Sequence, residues 1–199
     1  MTTEAAIKVK GHVRIVDKHT GEVLLDKNNA VHNKNMAIAI ARGLSNEPPD
    51  TTYNIGKHQI FKIKLGNGGS TINSSNEITY LAPNVTGATA DLWSPTYEEQ
   101  VDESIASTPS ENSVTYQESP APSETTVVIV TATIAAGEPS GQDLTDSPGD
   151  PDPNAQYAFD ELGLFTFDNL LLTHIIFSPI LKTANRELVI TYTLTISVS

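Results

Sequence analysis

Residues 188–198 alternate without a break: Leu188, Ile190, Tyr192, Leu194, Ile196 and Val198 fall on one side, and Val189, Thr191, Thr193, Thr195 and Ser197 on the other. Side chains of an extended chain point to opposite faces with a period of two, so this segment is a strand with one apolar face and one hydroxyl-rich face. Six inward positions at roughly 1.5–3 kcal/mol each, before chain entropy is subtracted, make it a central strand of a core. Such a strand needs neighbours on both edges and a second layer over its apolar face. That requirement directs the whole chain toward a mainly β, layered fold.

The same alternation recurs near the N-terminus, where Ile7, Val9, Gly11, Val13 and Ile15 oppose Lys8, Lys10, His12 and Arg14. Turn residues at 17–22 lead into Val23-Leu24-Leu25, so residues 6–27 read as a β-hairpin whose second strand is broken by Asn28 and Asn29. From residue 33 the period changes. Met36, Ala37, Ile40, Ala41 and Leu44 stand at helical spacing, with Asn33 available as N-cap and Gly43 near the end, which predicts one short helix over about 33–44. Residues 58–65 alternate again, with Phe61, Ile63 and Leu65 against Ile60, until Gly66-Asn67-Gly68-Gly69-Ser70 forces a turn whose glycines permit positive φ.

The stretch from about 70 to 123 is rich in Ser, Thr, Pro, Asn and Glu, with short strands expected near 77–81 and 112–117. It also carries Tyr80, Trp93, Tyr97 and Tyr116, more aromatics than a disordered segment holds, so it reads as a long excursion ordered by contact with neighbouring subunits. Residues 125–135 form a Val/Ile/Thr-rich strand, 137–154 an acidic loop with four prolines, and 156–167 and 170–177 two apolar runs. The expected architecture is a single domain over 1–199, an antiparallel β-sandwich with one short α-helix and a long ordered loop excursion. Its parts are a hairpin and helix at 6–44, an acidic loop region at 67–123 and core strands at 125–199.

Charge is sorted along this chain. Residues 1–66 hold ten of the twelve Lys and Arg against six acids, whereas residues 67–181 hold seventeen acids and no Lys or Arg, within a net charge of −12. A basic end and an acidic middle allow one copy to dock on the next, which points to a homo-oligomer. The basic stripe Lys8, Lys10, His12 and Arg14 is the docking edge this implies, for the acidic 98–103 or 143–152 segments of a neighbour. The acidic balance argues against nucleic acid as a ligand. Without cysteine there are no disulfides, thiolate metal sites or thiol nucleophiles. No apolar run reaches the length of a membrane span and no signal peptide is recognisable, so the expectation is a soluble protein made in a cytoplasm.

Candidate sites are few. Asp150, Asp152, Asn154 and Glu161 occupy positions 1, 3, 5 and 12 of a calcium-loop pattern, but Ala155 replaces the glycine at position 6 and prolines intervene, so an acidic Pro-rich loop is favoured over a metal site. Asp160 and Glu161 would alternate to opposite faces, which disfavours a catalytic pair, and each is expected to cap a loop or to pair with Arg186 or Lys182. The five histidines lack ligand spacing and read as surface or satisfied core residues. With no nucleophile–base pair, phosphate loop or dinucleotide fingerprint, neither an enzyme nor a cofactor is expected.

Three blocks together resemble a group of small virion structural proteins of contractile-tailed bacteriophages. The first is Gly11-His12-Val13-Arg14-Ile15-Val16-Asp17 with Thr20-Gly21-Glu22-Val23-Leu24 and Asn29-Ala30-Val31-His32. The second is Lys64-Leu65-Gly66-Asn67-Gly68-Gly69 with residues 78–84, and the third Tyr157-Ala158-Phe159-Asp160-Glu161-Leu162-Gly163-Leu164 with residues 172–179, Lys182 and the terminal strand. The resemblance implies a non-enzymatic particle component of the neck and collar, tail or capsid surface, found in the virion and assembled in the host cytoplasm. Its partners would be copies of itself and other virion proteins, with no nucleic acid or membrane, and Lys8, Lys10, Arg14, Trp93 and Tyr97 are the expected interface residues. The rival from another class is a carbohydrate- or receptor-binding module that stacks ligand on Trp93, Tyr97, Tyr80 and Tyr116.

Overall fold

The computed structural model describes residues 5–45, 47–87, 89–101, 111–120, 123–140 and 156–199. In chain order the elements are β1 (Ile7–Asp17), β2 (Val23–Val31), α1 (Asn33–Leu44), β3 (Ile60–Gly66), β4 (Ser70–Ile72), β5 (Ile78–Tyr80), β6 (Pro95–Gln100), β7 (Ser113–Glu118), β8 (Thr125–Ile134), β9 (Gln156–Thr166), β10 (Leu171–Thr183) and β11 (Leu188–Val198). Nine strands form one antiparallel sheet in the order β6-β3-β9-β10-β2-β1-β11-β8-β7, and β4 pairs separately with β5. The sheet curls into a half-barrel that is sandwich-like in section.

The bend lies at β2, where only Val31 and Ala30 pair with Thr173 and His174 of β10 before the two strands part. Beyond it, the half built on β1, β11 and β8 faces the half built on β3, β9 and β10. Val13, Ile15, Val130, Ile134, Ile190, Tyr192 and Leu194 from the first half pack with Ile63, Leu65, Phe159, Leu162, Leu164 and Ile175 from the second. Asn112, immediately before the edge strand β7, ties the open side of the half-barrel. Asn112 donates from Nδ2 to the Gln100 carbonyl at 2.8 Å and accepts the Thr133 N–H at 2.7 Å, so it bridges β6 to β8.

β11 sits between β1 and β8, as its alternation requires. Leu188 to Leu194 are buried on the inward face, but Ile196 is only half-buried and Val198 is 44% exposed, because this end of the strand overhangs the core together with Ile7 on β1. β2 continues through Asn28 and Asn29 to Val31. These asparagines pair with His12 and Gly11, and the ladder overrides their poor strand propensity. The cap of α1 is His32 and not Asn33: the ring Nδ1 accepts the Asn35 N–H at 3.2 Å while Nε2 contacts the Gly87 carbonyl at 2.8 Å.

β9 is apolar on both faces because both faces are covered. Leu162 and Leu164 enter the main core, while Phe165 joins Leu171, Ala90 and Leu92 in a second, smaller cluster on the other side. The described residues between 66 and 94 thus lie as a second layer over β9 and β10, so this first part of the excursion packs on the sheet of its own chain.

Candidate functional site

Asp160 and Glu161 enter β9 as neighbours, and both are buried. Two adjacent buried carboxylates are tolerated only where donors surround each of them. Asp160 Oδ1 accepts the Gly69 N–H at 2.8 Å, and Oδ2 accepts the Ser70 N–H at 2.8 Å and its hydroxyl at 2.5 Å. Glu161 Oε1 accepts the N–H groups of Ser94 at 2.7 Å and Gly68 at 3.2 Å, while Oε2 accepts the Trp93 N–H at 2.9 Å and meets Nε2 of His174 at 3.1 Å. On the far side of the imidazole, Nδ1 accepts the Asn84 N–H at 2.8 Å. A ring nitrogen that accepts from an amide carries no proton, so the proton of His174 lies on Nε2 and is donated to Glu161.

Burial alone would push the Glu161 carboxyl up. The bond from His174 and the amides of Ser94 and Trp93 outweigh it and hold the group below its ordinary value, so it stays ionised inside the fold. Glu161 and His174 are both 0% exposed. This knot presents no reactive group to solvent; what it does chemically is fix five backbone amides of the excursion, at Gly68, Gly69, Ser70, Trp93 and Ser94, to one strand and a sixth, at Asn84, to its neighbour.

The Gly-Asn-Gly-Gly turn serves this approach and not an unusual backbone. Gly66, Gly68 and Gly69 all lack positive φ. At Gly66 an added Cβ would sit 2.4 Å from both Glu161 Oε1 and the Ser94 carbonyl, so the side chain is excluded by the carboxylate that the turn wraps. Gly163 answers on β9, where a Cβ would come within 2.9 Å of Leu92 and Leu171. Asp160, Glu161 and Gly163 therefore each have a partner in the 66–94 layer, and Leu162 and Leu164 point into the main core.

The knot holds up an amphipathic projection. β4 and β5 pair Ser70 with Tyr80, Thr71 with Thr79 and Ile72 with Ile78, so Ile72, Ile78 and Tyr80 share one face and the bonded pair Thr71 and Thr79 the other. Ile72, Ile78, Tyr80 and the following Leu81 are all exposed. The root of the hairpin is tied by the Leu81 N–H to the Gly69 carbonyl, and the Trp93 indole donates to the Ala82 carbonyl at 3.0 Å. Beside the root, where β2 and β10 part, lies a cleft of about 360 Å³ lined by Lys27, Tyr80, Leu81, Ile176 and Phe177. A second groove, of about 420 Å³, runs between α1 and the overhanging end of β1.

Among the residues singled out from sequence, Lys8 and Lys10 are exposed on the outer face of β1 and have no ion-pair partner among the described residues. His12 and Arg14 share Asp26 of β2, at 2.7 and 3.8 Å. Trp93 is exposed at its ring and fixed at its indole and backbone nitrogens. Tyr97 is half-buried, its ring 6.5 Å from that of Phe159 and its hydroxyl on Glu99. Tyr116 stands on the edge strand β7, so the four aromatics do not gather in one stacking platform. Of the acids expected to dock on a neighbour, Glu98 pairs with Lys62 at 2.8 Å across β3 and β6, and the remainder of 98–103 past Val101, like 143–152, lies outside the described residues.

Of the two roles expected of them, Asp160 and Glu161 take the first and cap the loop segments at 68–70 and 93–94, whereas the salt bridges do not form. Arg186 pairs with Asp17 at 2.8 Å, and the Lys182 ammonium donates to the Ala135 carbonyl at 2.9 Å, because amides of the overlying layer reach the two carboxylates first. Asp150, Asp152 and Asn154 lie outside the described residues, and Glu161 has its oxygens turned to backbone amides. Among the described residues no three His, Asp or Glu side chains converge as a metal site, and no helix is long and apolar enough to cross a membrane.

Sequence reasoning missed the knot, although its signal was present as two adjacent acids inside an apolar run and a glycine-rich turn elsewhere. The blocks that carried the resemblance, Gly66 to Gly69, Tyr80 to Asn84, Asp160 to Leu164 and His174, meet here. In comparison with known proteins, the chain matches no family model, no curated protein and no solved structure.

Proposed function

We propose that this chain is a non-enzymatic structural subunit of a contractile-tailed bacteriophage particle, at the neck and collar, in the tail or on the capsid surface, working through contacts with copies of itself and other virion proteins. The observation that carries this reading is the exposed apolar face of the β4–β5 hairpin on a root anchored by buried carboxylates. A two-stranded hairpin has little stability of its own in water, and an apolar face held rigidly outward is the form of an interaction site. Preorganisation lowers the entropy lost on docking, which suits a part that must assemble in many copies. The resemblance of the blocks that meet in the knot supplies the phage setting, and the segregation of basic and acidic segments supports contacts between unlike surfaces.

The test is to purify particles by density gradient, identify their proteins by mass spectrometry and locate this chain in an electron cryomicroscopy map. The expected result is a stoichiometric, symmetrically repeated subunit whose β4–β5 hairpin is covered. Absence from the particle, or a free hairpin in every copy, overturns the reading.

A further inference from the structure

We infer that the groove between α1 and β1 receives the β4–β5 hairpin of a second copy, so that the chain associates head to tail. This deepens the subunit reading by naming the two surfaces in contact, and takes its biological setting from it.

The groove is lined by Ile7, Val9, Val31, Asn33, Met36, Ala37, Ile40, Ala41 and Leu44, of which Asn33 alone is polar. Its rim is uncovered: Leu44, in the last turn of α1, is 85% exposed and Ile7 is 52% exposed. Leucine and isoleucine left in water around a concave apolar surface mark an interface. The projecting hairpin has the matching character, with Ile72 at 70% exposure opposite Ile78 and beside Tyr80. The hairpin and the groove share no residue, so one copy can offer its hairpin while its own groove takes another.

Charge selects this pairing over others. Lys34 stands on the α1 wall next to Asn33, exposed and without an ion-pair partner among the described residues, while Lys8 and Lys10 lie on the opposite, outer face of β1. Glu77, in the turn of the hairpin, is the one charged residue between 67 and 87, and among the described residues its carboxylate meets the Asn73 amide and no cation. An anionic apolar projection thus faces a cationic apolar groove, whereas groove against groove or hairpin against hairpin would set like charges together. Contact between two unlike surfaces is heterologous and closes into a ring or runs on as a filament.

The test uses the full chain, with Leu44→Asp to spoil the groove and Ile72→Asp to spoil the hairpin; both side chains are mostly in solvent, so thermal melts should match the parent. By mass photometry and sedimentation the parent should form species larger than a dimer as concentration rises, and each variant alone should stay monomeric. An equimolar mixture should give a complex of two chains and nothing larger, because one intact hairpin and one intact groove remain. Glu77→Lys should weaken parent assembly severalfold, with recovery when Lys34 is changed to Glu in the same chain. A parent that stays monomeric throughout, or variants that fail to form the mixed dimer, overturns the inference. If the chain is nonetheless a repeated subunit of purified particles, only this contact is lost and the subunit reading stands.

Discussion

Nε2 of His174 lies 3.1 Å from Oε2 of Glu161, between two strands that pair with each other, and the opposite nitrogen of the same ring holds the amide of Asn84. One imidazole thereby links β9, β10 and the layer above them. The layer has little core of its own beyond Ala90 and Leu92. Its position depends on charge-assisted bonds whose acceptors come from the sheet.

Glu161→Gln should therefore lower stability by roughly 2–4 kcal/mol, since an amide cannot accept from all of these donors and turns its own N–H₂ toward them. Chemical denaturation measures the loss. In hydrogen exchange the amides of Gly68, Trp93 and Ser94 should be protected in the isolated parent chain and exposed in the variant; equal protection in both would mean that packing of Leu92 alone fixes the layer.

Acid should loosen the fold. The Thr20 amide, with Arg186 and His19, outweighs burial and holds the Asp17 carboxyl at about 2, below its ordinary value of 3.8. A depressed carboxylate contributes stability that is complete above the unfolded value and is lost as pH falls through the folded one. The Asp17 contribution thus disappears between about pH 4 and pH 2, and Asp17→Asn should flatten the stability curve in that window while leaving its slope unchanged above pH 5. Glu161, also depressed, adds to the same acid loss, so Asp17→Asn should remove only part of it.

The overhang of β11 separates two positions that look alike in sequence. Leu194→Ala should cost roughly 2–5 kcal/mol, as for other buried leucines. Val198→Ala should cost less than about 1 kcal/mol, because the side chain is 44% exposed and little burial is lost. Equal losses in urea titrations would place the core boundary beyond residue 198.

Assembly should weaken with salt and with reversal of Lys8 and Lys10. These two are the better probes of the basic stripe, since Arg14 and His12 are engaged with Asp26 inside the chain. Lys8→Glu with Lys10→Glu should leave the melting temperature within a degree or two, as the inward face of β1 is untouched, and exposed charges are screened within roughly 8 Å at physiological salt. Incorporation into particles should fall; normal incorporation at low and high salt alike would reduce the stripe to an ordinary solvated face.

Glu98 shows where the charge pattern alone misleads. Read along the chain it belongs to an acidic run without a nearby base, yet β6 lies beside β3, and Lys62 neutralises it across the ladder. Neither β6 nor β4 has an alternation strong enough to announce itself. Both are strands because partners distant in sequence supply the ladder, and cross-strand pairing is what strand propensity mostly measures.

Period-two alternation by itself determined β1, β3 and β11, because a half-buried strand must show it; Val/Ile/Thr richness marked β8, the apolar run after the turn at 17–22 marked the first part of β2, and the change to helical spacing after residue 32 located α1. Only the tertiary structure decided that two halves would be one sheet bent at β2, that Asn112 would tie β6 to β8, and that Asp160, Glu161 and His174 would clamp an excursion 67 to 93 residues away in sequence. The reason is physical: alternation records which face of a strand is dry, whereas a buried carboxylate is explained only by its donors, and here most of them are backbone amides, which every residue except proline carries and which leave no mark in the sequence.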